Sequence, residues 1–315
     1  MTISTADLVL GAMYFGTRSD EKDSFALLDR FVERGGRTID TANCYAFWAS
    51  DTGAGGQSEA VIGRWLAANP GLRDELTIAT KVGQEPVTPG KFDIVEGLSA
   101  PVIAREVERS RERLGVETID IYWAHGEDRA TALEETVEAF GRTVQSGVVR
   151  RLGISNHPTW RVERARALAA AQGLEPFSLL QLTTSYLRPR PDIAVPGKDH
   201  RFGFATDETM DYVTSNGLEL WAYSPLIQGS YDRSDRPFPE AYRHPGSDAR
   251  LAALHDVAGA LDATAGQTVL AWLLRSDPPV RPIVGVSSLE QLDQALAAAE
   301  LPITTEQLSA LDAAG

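Results

Sequence analysis

The chain has 315 residues, 43% hydrophobic and 23% charged, a balance that lets a globular protein bury a full core. Its formal net charge of −14, with a sequence pI near 4.8, argues against nucleic acid or an anionic membrane as partner, since neither polyanion would gain from the contact. The single cysteine, Cys44, excludes an intramolecular disulfide and suits a reducing cytoplasm, and with five scattered histidines no metal site is expected.

The N-terminus, Met-Thr-Ile-Ser-Thr-Ala-Asp, has no basic patch ahead of an apolar core, and nowhere does the chain reach the ~18 consecutive apolar residues of a membrane span. Leu8 to Met13 reads as a short apolar strand, punctuated by Gly11 and Gly16. Asp20 opens an amphipathic helix to Arg34, with Phe25, Leu28, Phe31 and Val32 on one face, stopped by Gly35-Gly36. The unit recurs as strand 37–41 with helix 58–68, strand 76–82 with helix 99–114, and strand 119–124 with helix 132–146. Strand 148–154 with helix 159–172, strand 178–183 with helix 205–215, strand 218–223 with helices 248–262 and 267–275, and strand 281–286 with helix 288–299 complete the series. A short helix from Thr304 to Ala313 ends it.

Eight strand–helix units in unbroken alternation predict an α/β fold, a single (β/α)8 TIM barrel domain over 1–315. An open doubly wound sheet would want Gly-x-Gly-x-x-Gly after its first strand, and Gly11-Ala-Met-Tyr-Phe-Gly16 does not match it. The long connections, 45–57, 84–98, 185–204 and 225–246, all follow strands and would build the working face. They carry Trp48, Tyr186, Tyr231 and Phe238, which either wall a pocket or fix the loops.

Four polar residues fall at or just after strand ends: Asp40, Tyr45, Lys81 and His125. A phenol with a pKa near ~10 is a weak acid at neutral pH, but a neighbouring ammonium lowers that value. Lys81 can supply the charge, Asp40 can hold a half-buried ammonium protonated, and His125 can orient a carbonyl oxygen; Tyr45 is then the candidate general acid. Singly, each has a bland reading: a strand-end Asp anchors a loop, a Tyr packs, a His sits satisfied in a core. Their joint placement on one barrel face is what points to a site that protonates an oxygen.

Asp40-Thr-Ala-x-x-Tyr45, Ser58-Glu59 ahead of Ile62-Gly63, Thr80-Lys81 at a strand end, and Asp120 with His125 behind it resemble the aldo-keto reductase superfamily, from Leu10 to about Leu296. The resemblance implies hydride transfer from an extended nicotinamide cofactor to an aldehyde or ketone. It implies cofactor contacts from Gly11, Ala12, Met13 and Asp40, a carboxamide grip by Ser155, Asn156 and Gln181, and a ring stack on Tyr223. Ser224, Pro225 and Leu226 belong to the stretch of that stacking tyrosine, Leu226 through Gly229 and Ser230 would form the loop over the pyrophosphate, and Gly285, Ser287 and Gln291 enter the last large helix, whose N–H groups can receive a phosphate. Read blandly, Ser155-Asn156 before His157-Pro158 is a helix cap and turn.

The chain departs from the family in having Ser287 where a basic residue is common and Ala295 where an Asn faces adenine. NADP(H) is favoured by the resemblance and NAD(H) stays open, with Arg281, Arg233 or Arg236 as alternative holders of a 2′-phosphate. The expected substrate is a small to medium carbonyl compound, apolar in part and neutral rather than polyanionic, in a pocket formed by Tyr45, His125 and Trp48 with space beside Gly126. Arg188 and Arg190 leave a single carboxylate or phosphate open. Two other classes compete: a nicotinamide-binding sensor on the same scaffold, and an aldolase using Lys81 as a Schiff base.

Overall fold

In the computed structural model, which describes residues 3–195 and 203–314, eight strands pair in sequence order and close a parallel barrel. They are β1 (Val9–Gly11), β2 (Thr38–Asp40), β3 (Thr77–Val82), β4 (Ile119–Ala124), β5 (Val149–Ser155), β6 (Leu179–Thr183), β7 (Glu219–Tyr223) and β8 (Val280–Val284). The helices are α1 (Glu21–Glu33), α2 (Gln57–Ala68), α3 (Ala100–Leu114), α4 (Leu133–Gln145), α5 (Thr159–Ala171), α6 (Asp207–Asn216), α7 (Pro245–Ala260), α8 (Ala265–Leu274), α9 (Leu289–Ala297) and α10 (Thr305–Ala313). Most ends lie within one or two residues of the sequence expectation. α7 begins three residues early because Pro245, lacking an N–H, fits the first helical turn. Of the connection read as 185–204, residues 196–202 lie outside those described. Among the described residues no single helix is long and apolar enough to cross a membrane.

Contacts along the chain cluster in two units, one of residues 10–33 and 37–181, the other of residues 1–9, 34–36 and 182–315. In the first, β4 is buried along its whole length, as a parallel strand covered on both faces must be. Its one carboxylate, Asp120, is held by Ile78 N at 2.8 Å and Arg73 at 2.9 Å. Ser58 and Glu59, at the start of α2, tie three strand ends together. Ser58 Oγ bonds Ala12 O and the Thr41 hydroxyl, at 2.7 and 2.6 Å, while Glu59 accepts from Thr80 Oγ1 and Arg113 at 2.6 and 3.0 Å. Gly63 lets α2 approach α3, since a Cβ there would lie 2.0 Å from Arg113 O. These contacts set the level at which β2 and β3 end, and so where Asp40 and Lys81 stand.

In the second unit, Thr206, Thr264 and Thr304 cap α6, α8 and α10 by accepting the backbone N–H three residues on. Arg250 of α7 stacks on Tyr186, donates to Tyr186 O and Ala314 O, and so binds the final helix down.

Candidate active site

The backbone ladder continues past the carboxyl ends of β2, β3 and β4. Ala12 N donates to Asp40 O at 2.9 Å, Thr41 N to Ala79 O at 2.8 Å, Asn43 N to Lys81 O at 3.1 Å and His125 N to Val82 O at 3.0 Å. This register brings the four candidate residues together. Lys81 Nζ donates to Asp40 Oδ2 at 2.5 Å, Thr41 O at 2.8 Å and Tyr45 OH at 3.2 Å. The Tyr45 and His125 rings meet edge to face with centroids 5.6 Å apart.

Lys81 is fully enclosed, with 0% exposure, rather than half-buried as the sequence reading expected. Burial is the largest influence on the pair: it pushes Lys81 below its ordinary value and Asp40 above its own, while their mutual attraction opposes both shifts. Asp40 thus acts on the lysine in the expected direction, against a burial effect that is larger. The Schiff-base reading fails for a different reason than basicity. All three ammonium donors are engaged and no face of Nζ is open to a carbonyl carbon.

Cys44, unassigned in the sequence reading, places Sγ 3.5 Å from His125 Nδ1. Burial, the largest cause, pushes its thiol well above the ordinary range, so it stays protonated and can donate. A thiol donating to Nδ1 leaves the His125 proton on Nε2. Asn156, at φ 57°, donates from Nδ2 to His125 O at 2.9 Å and anchors the other side of that residue.

The residues matched to the carboxamide grip share this unit with the four. Ser155 Oγ donates to Gln181 O at 2.8 Å, and Gln181 Nε2 to Asp40 Oδ1 at 3.1 Å. Pro158, not Ser155 or Asn156, stands at the N-cap of α5, so the bland helix-cap reading does not hold. Gly153 is there for Trp123, whose ring would lie 2.1 Å from a Cβ at that position. Ala12 is buried beside Asp40, with Gly11 ending β1 and Met13 in the turn after it.

The remaining candidates belong to the second unit. Tyr223 ends β7, and burial pushes its phenol up to about 12. Ser224, Ile227, Gln228 and Gly229 have φ of 53°, 48°, 58° and 90°. A β-branched residue rarely adopts this conformation, and such strain is commonly kept where backbone N–H groups must face a ligand. Pro225 O accepts from Ser185 Oγ at 2.6 Å, Gly229 N donates to Leu226 O at 2.9 Å, and Ser230 Oγ donates to Ile227 O at 2.7 Å. After β8, past Gly285, Ser287 N and Oγ donate to Gln291 Oε1 at 2.9 and 3.1 Å, so that turn is partly satisfied by its own side chain.

The expectations for the arginines are corrected. Arg281 donates to Ala6 O and Asp7 O and lies over Trp221, because it stands at the start of β8 and not at its carboxyl end. Arg233 and Arg236 both pair with Asp235, Arg188 pairs with Asp207, and Arg190 with Asp192. Tyr231 is a loop anchor: its OH accepts from Leu187 N at 2.9 Å, lies 2.8 Å from Ser185 Oγ, and its ring meets Phe238. Tyr186 is equally structural, its OH donating to Leu311 O at 2.9 Å. Trp48 does stand beside Tyr45, with ring centroids 6.4 Å apart.

Glu85, also missed, presses the 45–57 loop onto the site. Its Oε1 accepts from Gly55 N at 2.9 Å, and a Cβ at Gly55 would lie 2.4 Å from Asn43 O and Cys44 Cα. Burial is the largest cause pushing Glu85 up to about 7, the Gly55 N–H and Arg113 opposing and Glu96 adding. The folded chain thus holds a proton there that the unfolded chain, at its ordinary value of 4.5, has lost; stability falls as pH rises between those two values and is flat above them. Glu85→Gln keeps an acceptor for Gly55 without the charge. It is expected to be more stable than the parent by about 1–2 kcal/mol near pH 8, a figure discounted for partial solvation, and by much less near pH 5. Denaturant unfolding at the two pH values checks this; equal stability at both would contradict it.

Residues 7–315 match the aldo/keto reductase family. The chain is 30% identical to an uncharacterized oxidoreductase, YrpG, of Bacillus subtilis, over 97% of this chain and 90% of that protein. It is 31% identical to a norsolorinic acid reductase of Emericella nidulans, over 97% of this chain and 77% of that one. It is also 28% identical to an aryl-alcohol dehydrogenase of Pestalotiopsis microspora, over 99% and 79% respectively. The chain belongs to the aldo/keto reductase family of oxidoreductases.

Proposed function

We propose that this chain, working as one barrel domain over 1–315, is an NAD(P)H-dependent reductase of small-molecule aldehydes or ketones, with Tyr45 as the general acid. The observation that carries the reading is the Lys81 ammonium, shared between Asp40 at 2.5 Å and the Tyr45 hydroxyl at 3.2 Å. A positive charge at that distance favours the phenolate over the phenol, so the proton leaves Tyr45 more readily as a carbonyl oxygen gains negative charge. His125 Nε2–H donates to the same oxygen and fixes which face of the carbonyl is presented. Enclosure of Lys81 keeps water from dispersing its field.

A bound reduced nicotinamide would supply the hydride. The chain has suitable groups for it: the Ser155, Asn156 and Gln181 side chains for the carboxamide, and in the left-handed run at 227–229 the Gln228 N–H for a phosphate, since Ile227 N and Gly229 N bond Ser224 O and Leu226 O. Tyr223, kept neutral by burial, would offer a ring face and not a competing acid. The names of the relatives, reductase and dehydrogenase, support interconversion of a carbonyl and an alcohol. Loss of reduced-nicotinamide absorbance with an aldehyde tests the reading; binding of the nicotinamide without turnover of any carbonyl would favour a sensor.

Cofactor preference should be shallow. Ser287, Ser288 and Gln291 carry no charge, Arg281 is bound elsewhere, and Arg233 and Arg236 share Asp235. A helix N-terminus adds only roughly 0.3–1 kcal/mol for an anion. Both cofactors are expected to work, NADPH favoured by less than about a hundredfold in kcat/KM, or under about 2.7 kcal/mol. Parallel kinetics decide it: a much larger preference would require a cation against the 2′-phosphate, and a preference for NADH would make Ser287 the mark of a changed cofactor.

A further inference from the structure

A wall of aromatic rings leads from Tyr45 toward solvent. Trp48, edge to face with Tyr45, meets Tyr14 at 6.4 Å and Phe92 at 6.1 Å, and Phe92 lies 4.7 Å from Phe47. Phe92 is nonetheless 69% exposed, so these contacts do not make it part of the core. On the same loop Val87 and Ile94 are 61% and 62% exposed, and Val87 N donates to Ile94 O at 2.9 Å, which sets the two opposite each other on one face of a hairpin. Three large apolar side chains left open on the loop whose Phe92 packs on Trp48 mark a binding surface.

At the Tyr14 edge of this wall stands Arg18. The Arg18 guanidinium lies 4.5 Å over the Tyr14 ring, and among the described residues it forms no ion pair. The contrast with Arg188, Arg190 and Arg233, each closed on an aspartate, is informative in a chain of net charge −14. A guanidinium stacked on a ring keeps its N–H edge available, and that edge matches two oxygens of a carboxylate.

We propose that the substrate of the Tyr45 site is an aryl aldehyde or ketone with one carboxylate remote from its carbonyl. The aryl part lies along Trp48 and Phe92, and the carboxylate reaches Arg18. This rests on the reading of Tyr45 as the acid of a carbonyl reductase. It replaces the expected neutral substrate by a singly charged one and moves the anion contact from the sixth loop, where Arg188 and Arg190 are neutralised, to the first.

Formylnaphthoate, naphthaldehyde and hexanal, compared as substrates, test it. The parent should prefer formylnaphthoate to naphthaldehyde, and Arg18→Gln should lower that ratio of kcat/KM about threefold to fivefold, the range of a solvent-exposed ion pair. Lys91→Gln, which removes the same charge from the hairpin tip, should hold the ratio near the parent value. Phe92→Ala should raise KM for both naphthyl compounds about tenfold relative to hexanal. Quenching of tryptophan fluorescence by naphthalene dicarboxylate, weaker in Arg18→Gln, reads the same contact without turnover. Should no carbonyl be reduced, that binding difference still supports the subsite while the reductase reading fails. A ratio unchanged in Arg18→Gln, or lowered equally by Lys91→Gln, overturns the inference.

Discussion

Tyr45→Phe is expected to abolish carbonyl reduction, lowering kcat by on the order of 10²–10⁴, the usual contribution of a general acid. Only one oxygen is removed, the atom 3.2 Å from Lys81 Nζ. The ring stays between Trp48 and His125, so the pocket wall is retained. Affinity for reduced nicotinamide, followed by its fluorescence, should remain near the parent value. A variant that turns over at close to the parent rate would show that another group donates the proton. Tyr14, whose ring also meets Trp48, would be the first phenol to examine.

Lys81→Met is expected to lose activity and much stability together. Without the ammonium, the phenol of Tyr45 becomes a weaker acid, so any residual activity should keep its alkaline limb to a higher pH. The fold also suffers, because Asp40 is left buried without its counter-charge, a loss of about 3–5 kcal/mol. Asp40→Asn with Lys81→Met should recover part of the stability and none of the activity, which separates the two effects. Lys81→Arg should not rescue either, since an enclosed site fitted to three bonds from one nitrogen cannot take a planar guanidinium. Denaturant unfolding and pH profiles of kcat/KM measure both properties, and full activity in the Arg variant would defeat this account of the lysine.

The barrel was legible because each strand–helix unit carries its own local signals: apolar runs bounded by glycine, then a helical period. The motif pairs Ser58-Glu59 and Thr80-Lys81 were legible as patterns, but their work was not. That Ser58 spans two strand ends and Glu59 a third depends on partners between 17 and 54 residues away in the chain. The enclosure of Lys81 was equally hidden, since it follows from the way Asp40, Thr41 and Tyr45 surround it. Cys44 could not be connected to His125 because a single thiol carries no signal of its own. Arg281 is a different case. Its place at the head of a strand was already readable, and that alone puts it at the opposite end of the barrel from a cofactor site. Tyr14 and Arg18 were missed because the turn after β1 has no periodicity from which to infer that Arg18 stacks on Tyr14 and Tyr14 meets Trp48.

The hydrogen bond from Gln181 Nε2 to Asp40 joins the residues matched to the carboxamide grip directly to the ion pair, and Ser155 is tied to Gln181 in turn. These dipoles are oriented by folding before any ligand arrives, so little reorientation remains when charge develops at the reacting oxygen. The same linkage makes the residues one thermodynamic unit. Replacing Gln181 disturbs Asp40, and through it Lys81, so the energetic effects of altering any two of the three should be strongly non-additive, with the second substitution costing far less than it does alone.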